Sequence, residues 1–406
     1  MPDGTARPIK VYLVANEESG DRLGAALMRA IRNLCASGVT FAGVGGREMV
    51  AEGLPGVFTI KDSVIGLAPI LAALPSIMRR IRETAEAVIA ANPDILVIID
   101  SPAFTHRVAR RVRAAAPRIP ILDYVSPQVW ASRPGRARKM RGYIDRILAV
   151  YPFEEQVHEK LGGPPCVYVG HPLVERAGDL RPTAAEARRR GADPAIVLLL
   201  PGSRPRELRH LIETFGDAVE RVASRVGTIQ LILPTVPSLT ESLKEVTARW
   251  AVRPWIVDDQ FQKNAAFRVA RAALAASGTV TLELALAGIP TVAAYRLTAW
   301  EAFILRRLVR VPSIVLPNLV IGENVVPEYL QEDCAPEGLA QALIPLLSDT
   351  PDRRKQIEAF ARLDAIMEIG TLRPSERAAE AVLAAVTQSP ADDGFGSSST
   401  VVRRPH

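Results

Sequence analysis

Ile95-Leu96-Val97-Ile98-Ile99-Asp100-Ser101-Pro102 is the stretch on which the fold turns. Its apolar run has no polar face, so a strand built from it must be covered on both sides, as strands of parallel sheets are. Ala/Arg/Leu-rich helical stretches flank it, and the same alternation runs through the chain. Strands are expected at Ile9–Ala15, Thr40–Val44, Ile95–Ile99, Ile119–Val125, Ile144–Val150 and Val167–Val169. A second set is expected at Ile196–Leu200, Ile229–Leu233, Trp255–Val257, Ala272–Ala276 and Thr291–Ala294. Strand runs with helices between them read as open, doubly wound α/β sheets, whose ligands sit beyond the carboxyl ends of the strands.

The strand rhythm stops around residues 174–194, where a polar, Arg-rich stretch contains Pro182 and Pro194. An inter-domain linker is placed there, dividing the chain into residues 1–174 and 175–388. The helical pattern of 337–387 leaves the terminal helices free to cross back to the first domain. Residues 389–406, with Gly394, Gly396 and Ser397 to Ser399, read as a disordered tail. At roughly 150 residues per domain, a chain of 406 residues agrees with this division.

Composition narrows the chemistry. Lys and Arg number 50 against 44 Asp and Glu, a net charge of +6 that permits phosphates, anionic lipid or nucleic acid without choosing among them. No basic run is interleaved with aromatics, which argues against a nucleic-acid binder. Cys35, Cys166 and Cys334 lack CxxC spacing, so neither a disulfide framework nor a zinc site follows and a reducing cytoplasm is expected. Five histidines without ligand spacing leave no histidine-built metal centre, and no cofactor is expected. The run Ile9–Ala15 passes straight into polar residues, unlike a secretory leader. Val64–Met78, broken by Pro69 and Pro75, is shorter than the ~20 residues that span a bilayer.

Polar residues collect where the expected strands end. Asn16-Glu17-Glu18-Ser19-Gly20-Asp21 follows the first strand, either as an anion-holding helix start or as an ordinary turn capped by Ser19 or Asp21. Asp100 follows the most apolar strand, placed either as a general base or as the cap of the next helix. Ser126-Pro127-Gln128-Val129-Trp130-Ala131-Ser132-Arg133 reads as a cleft wall or as core around its Trp. In the second half, Pro201-Gly202-Ser203-Arg204 offers amides, a hydroxyl and a guanidinium to a diphosphate. Ser277-Gly278-Thr279 opens a second helix, with Glu283 placed to accept the hydroxyls of a ribose or, more simply, to favour the helix start. Two anion loops in one domain point to a nucleotide site.

With these pieces in hand the chain resembles the bacterial lipid-A-disaccharide synthase family. The matches also include Val169-Gly170-His171-Pro172-Leu173, Tyr295-Arg296 and Leu316-Pro317-Asn318-Leu319, and all occur in family order over roughly residues 9 to 345. The resemblance implies a GT-B fold, two Rossmann-like domains facing a cleft. It implies transfer of 2,3-diacylglucosamine from UDP to the 6-hydroxyl of 2,3-diacylglucosamine 1-phosphate, with inversion to a β(1→6) linkage. It makes Asp100 the candidate base and puts Arg204, Ser277, Thr279 and Glu283 on the UDP side. Ser19, Gly20, Asp21, Ser126, Trp130, Arg133, Gly202, Ser203, Gly278, Arg296 and Asn318 become further candidates for substrate contact. A homodimer and a peripheral place on the cytoplasmic face of the inner membrane are also expected. A base on one domain and anion loops on the other require no metal, in keeping with the poor inventory of metal ligands.

Two departures stand out. Asn16 replaces the family's usual Gly, and Ser132 stands where a second Trp is usual, which removes a ring from any stacking there. Acylated substrates direct attention to Val64–Met78 followed by Arg79, Arg80 and Arg82, and to Trp300–Arg310, as membrane-facing stretches. A buried loop and helix is the competing reading of the first stretch. Another UDP-sugar enzyme such as an epimerase, or a two-domain solute binder, are the competing functions.

Overall fold

The computed structural model describes residues 7–35, 37–59, 67–298, 311–370 and 372–387. Seven strands form the first sheet: β1 (Ile9–Ala15), β2 (Val39–Gly45), β3 (Gly56–Thr59), β4 (Ile95–Ile99), β5 (Ile121–Tyr124), β6 (Arg146–Ala149) and β7 (Cys166–Tyr168). All its ladders are parallel, in the order β3-β2-β1-β4-β5-β6-β7. The second sheet holds β8 (Ala195–Leu200), β9 (Ile229–Pro234), β10 (Trp255–Val257), β11 (Ala272–Ala276), β12 (Thr291–Tyr295) and β13 (Glu328–Leu330). It too is parallel, in the order β10-β9-β8-β11-β12-β13. The central strands β4, β8 and β11 are buried at every position, as their unbroken apolar runs require.

Both orders reverse direction once. β1 pairs with β2 on one side and β4 on the other, and β8 likewise lies between β9 and β11. Helices leaving two neighbouring strands there go to opposite faces of the sheet, so a crevice opens between their first turns. In the first sheet the crevice falls between the first turn of helix Glu18–Leu34, at Ser19, and the turn at Asp100. In the second it falls between Gly202–Arg204 and Ser277–Thr279.

Three departures from the sequence reading have local causes. Strands β3 and β13 were not expected; both are short edge strands, which need no two-sided apolar run. The fifth strand is shorter than Ile119–Val125 at both ends, and at its carboxyl end Val125 takes φ +77, which turns the chain away after a last amide bond to the Leu148 carbonyl at 3.1 Å. The stretch read as a linker contains helices Ala177–Leu180 and Ala184–Gly191, both packed on helix Gln260–Val269 of the second domain. Its charged side chains account for this: Arg190 donates to the carbonyls of Ala287 at 3.0 Å and Phe267 at 2.9 Å, and Glu186 accepts Arg268 of that helix at 2.7 Å.

The final helix, Pro374–Thr387, packs on helix Glu18–Leu34 of the first domain. Ser375 donates its amide to Glu175 at 2.9 Å, and Arg377 Nε reaches the Val169 carbonyl at 3.2 Å. One apolar core therefore joins Leu13, Leu27 and Ile31 with Leu282, Val315, Phe360 and Val382. The expected tail beyond residue 387, and Val64–Gly66 and Trp300–Arg310 of the membrane-facing stretches, lie outside the described residues.

Asp21 corrects the sequence reading. It is buried, and its carboxylate accepts the amides of Gly46 at 2.7 Å, Glu48 at 2.9 Å and Met49 at 3.0 Å. It caps helix Arg47–Ala51 from a neighbouring element, which has no side-chain cap of its own. Its polar atoms serve the fold rather than a ligand. Asp21→Ala should cost about 1–3 kcal/mol, the usual penalty for buried donors left unpaired. Urea unfolding reads this directly, and an unchanged midpoint would remove the capping role.

Candidate active site

Asp100 ends the central strand of the first sheet in a left-handed conformation, φ +53, and Ser101 follows at φ +45. Two consecutive non-glycine residues there are strained, each by roughly 1–3 kcal/mol, and such strain gathers at functional sites. Thr105 Oγ1 holds the turn, donating to the Asp100 carbonyl at 2.7 Å and the Ser101 carbonyl at 3.1 Å. The turn keeps the carboxylate off the helix that follows. That helix, Thr105–Ala115, starts five residues on, has Phe104 at its N-cap and receives no side-chain cap. Asp100 instead accepts the Ser101 amide at 2.7 Å and the Ser19 hydroxyl at 2.9 Å. Gly20 permits the approach: a Cβ there would lie 3.2 Å from the Ile99 carbonyl. Ser19, Gly20 and Asp100 are thus brought together at the reversal point.

Beyond Asp100 the ends of β5, β6 and β7 carry a wall of rings. Trp130 meets Tyr151 and Phe153 edge-on at 6.3 and 5.3 Å, Tyr151 stacks on Phe153 at 5.6 Å, and His171 tilts against Tyr151 at 5.3 Å. One buried carboxylate ties the wall together. Glu154 accepts Trp130 Nε1 at 3.2 Å and the amides of Val150 and Tyr151 at 3.2 and 3.0 Å. Ser126 corrects its expected role: it is buried, and its hydroxyl lies 2.7 Å from His158 Nε2. Arg133 is exposed, at φ +52. Sequence reasoning missed Tyr151, Phe153, Glu154 and His158; Tyr151-Pro152-Phe153 directly after an apolar strand was the available signal.

In the second domain a cavity of ≈350 Å³ opens at the carboxyl ends of β8, β9 and β11. It is lined by Gly202, Ser203, Arg204, Ser277, Gly278, Thr279 and Glu283, the expected group in full. Helices Pro205–Val226 and Thr279–Leu286 begin at its wall and turn their amide ends toward it. Gly202 sits at φ +116, and a Cβ there would come within 2.7 Å of Glu207 Cβ, so the loop needs glycine. Ser277 is fixed by donating to the Ile314 carbonyl at 2.9 Å. Sequence reasoning missed three polar lining residues, Glu207, Thr235 and Lys263. Thr235 places a buried hydroxyl without a protein partner in the wall, and Lys263 pairs with Glu283 at 2.9 Å.

Two expected residues lie outside this cavity. Arg296 is half-buried and donates to Thr214 Oγ1 at 3.3 Å. Asn318 is a correction: it is buried and its amide is fully used inside the protein. It donates to Ser313 Oγ at 3.2 Å and the Val326 carbonyl at 2.9 Å, and accepts the amides of Val325 and Val326 at 3.1 and 2.9 Å. It clamps a loop and leaves no hydrogen-bonding group for a substrate. Among the described residues no group of three or more His, Cys, Asp or Glu is placed to hold a metal ion.

Comparison with known proteins adds identity to this geometry. The family described as lipid-A-disaccharide synthetase matches residues 11–383. A lipid-A-disaccharide synthase of Bradyrhizobium diazoefficiens is 58% identical over 385 residues, 95% of this chain and 98% of that one. One from Rhodospirillum centenum is 42% identical, covering 94% and 96%. Among solved structures, UDP-GlcNAc 2-epimerase from Neisseria meningitidis, bound to UDP-GlcNAc, superposes with a TM-score of 0.61 at 13% identity, covering 93% of this chain and all of the other. A glycosyltransferase from Rickettsia africae gives 0.56 at 12% identity, covering 95% and 100%. These distant likenesses establish the fold, two Rossmann-like domains facing a cleft in the GT-B arrangement.

Burial shifts two groups of the aromatic wall in opposite directions. Desolvation pushes Glu154 up to about 7 and His171 down to about 4. Native His171 stays neutral where an unfolded histidine binds a proton, so its contribution to stability rises with pH between about 4 and 6.5. Native Glu154 stays protonated where an unfolded carboxyl has ionised, so its contribution falls between 4.5 and about 7. Glu154→Gln removes the falling slope. Its unfolding free energy should climb more steeply than that of wild type across this range, by up to ~1.4 kcal/mol per pH unit. Parallel urea profiles for the two proteins would mean that Glu154 is ionised when folded.

Proposed function

The chain belongs to the lipid-A-disaccharide synthase family, glycosyltransferases of lipid A biosynthesis, and from that premise we propose how its two half-sites divide the reaction. The second-domain cavity takes the UDP of UDP-2,3-diacylglucosamine. The acceptor, 2,3-diacylglucosamine 1-phosphate, presents its 6-hydroxyl to Asp100. Asp100 removes the hydroxyl proton as the oxygen attacks the anomeric carbon from the side opposite UDP. The bond to the diphosphate breaks, and the α-linked donor becomes a β(1→6) disaccharide.

The observation that carries this reading is the state of the Asp100 carboxylate. It sits at the reversal point of the sheet and does not cap the next helix, and the Ser19 hydroxyl orients it at 2.9 Å. On the leaving side, charge grows on the diphosphate as the sugar departs. Arg204 and the amide ends of helices Pro205–Val226 and Thr279–Leu286 are placed to meet it. The Arg204 side chain is 72% exposed and only loosely held by Glu207 at 3.5 Å, so it is free to turn to a ligand. Glu283 accepts the ribose hydroxyls. This scheme routes no step through a metal ion.

Asp100→Asn should lower kcat by about 10²–10⁴, the usual worth of a general base, while calorimetric UDP affinity stays near that of wild type. An Asn variant with normal turnover would return Asp100 to a structural role.

Acylated substrates place the reaction at a lipid surface, and we assign this chain a peripheral position on the cytoplasmic face of the inner membrane. Among the described residues no helix is long and apolar enough to cross a bilayer. The helix Leu67–Ala91 carries much of the candidate anchor, with Arg79 and Arg82 exposed and paired to Glu83 and Glu86 at 3.5 and 3.6 Å. Those pairings weaken the basic half of the anchor, so apolar insertion carries most of the attachment. The partners proposed are the UDP-sugar, the acceptor phosphate, an anionic membrane surface and, from the family resemblance alone, a second copy of this chain. Leu67→Ser, Ile70→Ser and Leu71→Ser together should release the protein from anionic vesicles in a sedimentation assay. A folded triple variant that still sediments as wild type does would locate the anchor elsewhere.

A further inference from the structure

Four charged side chains line the second-domain cavity, and their charges cancel: Arg204 and Lys263 against Glu207 and Glu283. The two pairs are held differently. Arg204 reaches Glu207 at 3.5 Å from a largely exposed position. Lys263 Nζ meets Glu283 Oε2 at 2.9 Å, with both side chains mostly shielded, 26% and 16% exposed. The partners come from different helices, Gln260–Val269 and Thr279–Leu286. The Lys263 ammonium also lies 5.5 Å from the ring centre of Phe267, a fully buried residue one turn farther along its own helix. No other cation pairs with Glu283 among the described residues.

A carboxylate that reads a ribose beside a diphosphate has a problem, because its charge repels the phosphates. A fixed cation on one oxygen offsets that charge, and leaves the other oxygen open to the hydroxyls. We infer that Lys263 is a positioning residue for nucleotide recognition, neutralising and orienting Glu283 so that it accepts the ribose hydroxyls next to the diphosphate. The inference rests on the UDP reading of the cavity and adds to it the residue that makes ribose selection compatible with an anionic ligand. A structural lysine would affect all ligands of the cavity alike. A positioning lysine governs the preference for a ribose over a deoxyribose.

Calorimetry with UDP and 2′-deoxy-UDP tests this on the full chain. Wild type should prefer UDP. Lys263→Met should weaken UDP binding by about tenfold and shrink the preference to that of Glu283→Gln, while the double variant is no worse than Glu283→Gln alone, as expected of two groups acting as one unit. Lys263→Arg keeps the charge and should keep the preference. Lys263→Gln, neutral but polar, should behave as the Met variant does and guards against a Met variant that does not fold. Full retention of the ribose preference in the neutral variants, whatever their affinity, overturns the positioning role. Wild type that binds UDP and 2′-deoxy-UDP equally well overturns the ribose role of Glu283 and this inference with it. A wild-type preference left unchanged by Lys263→Gln overturns the inference alone.

Discussion

Parallel strands put all their carboxyl ends on one edge of a sheet, and a reversal in strand order leaves a gap at that edge. Both candidate half-sites of this protein follow from that constraint, applied twice. β1 beside β4 puts Ser19 against Asp100, and β8 beside β11 puts the Gly202 loop against the Ser277 loop. In each case the helices diverge to opposite faces, leaving backbone amides and short polar side chains with no helix packed over them. The chemistry divides in the same way. The first reversal point holds a carboxylate, and the second holds amides, a guanidinium and a paired carboxylate.

The surrounding architecture keeps these two edges in fixed relation. A single apolar core includes residues of both domains, and the last helix leaves the second domain to lie on the first helix of the chain. Tyr168 Oη also donates to the Met367 carbonyl at 3.2 Å across the same boundary. A chain whose two halves were joined only at residues 174–194 would let the half-sites drift apart. Here the joint is made twice, through the segment that packs on the second sheet and through the returning helix.

Strain and buried polarity are concentrated beside the proposed base. Asp100, Ser101 and Val125 hold positive φ at the ends of neighbouring strands, and Val125 is β-branched, which makes its conformation the most costly of the three. Specific hydrogen bonds hold these turns: the Asp100 amide to the Tyr124 carbonyl at 3.0 Å, the Val125 amide to the Leu148 carbonyl at 3.1 Å, and Thr105 over both carbonyls of the turn. Next to them, Glu154 uses one carboxylate to fix the ends of two strands. The site is thus rigid where the acceptor would dock, whereas Arg204 across the cleft is exposed and weakly paired.

The sequence by itself determined the strands that are buried on both faces and the polar loops at their ends. An apolar run such as Ile95–Ile99 leaves no other arrangement, and Gly202, Ser203, Arg204, Ser277, Gly278, Thr279 and Glu283 were legible for the same reason, each being local to its strand end. The family motifs likewise led to the right chemistry. Tertiary structure alone decided which polar groups line the cavity and the reversal points and which are used inside the fold. Asp21, Ser126 and Asn318 stand near strand ends and helix starts as Ser19 and Ser277 do, yet they are turned inward to Gly46, His158 and Val326. Lys263 carried no motif at all, and its meaning comes from a carboxylate on another helix. The physical reason is range. A local pattern fixes which residues are apolar enough to be buried, but a polar side chain's partner is chosen by strand order and helix packing, and those bring together residues far apart in the chain.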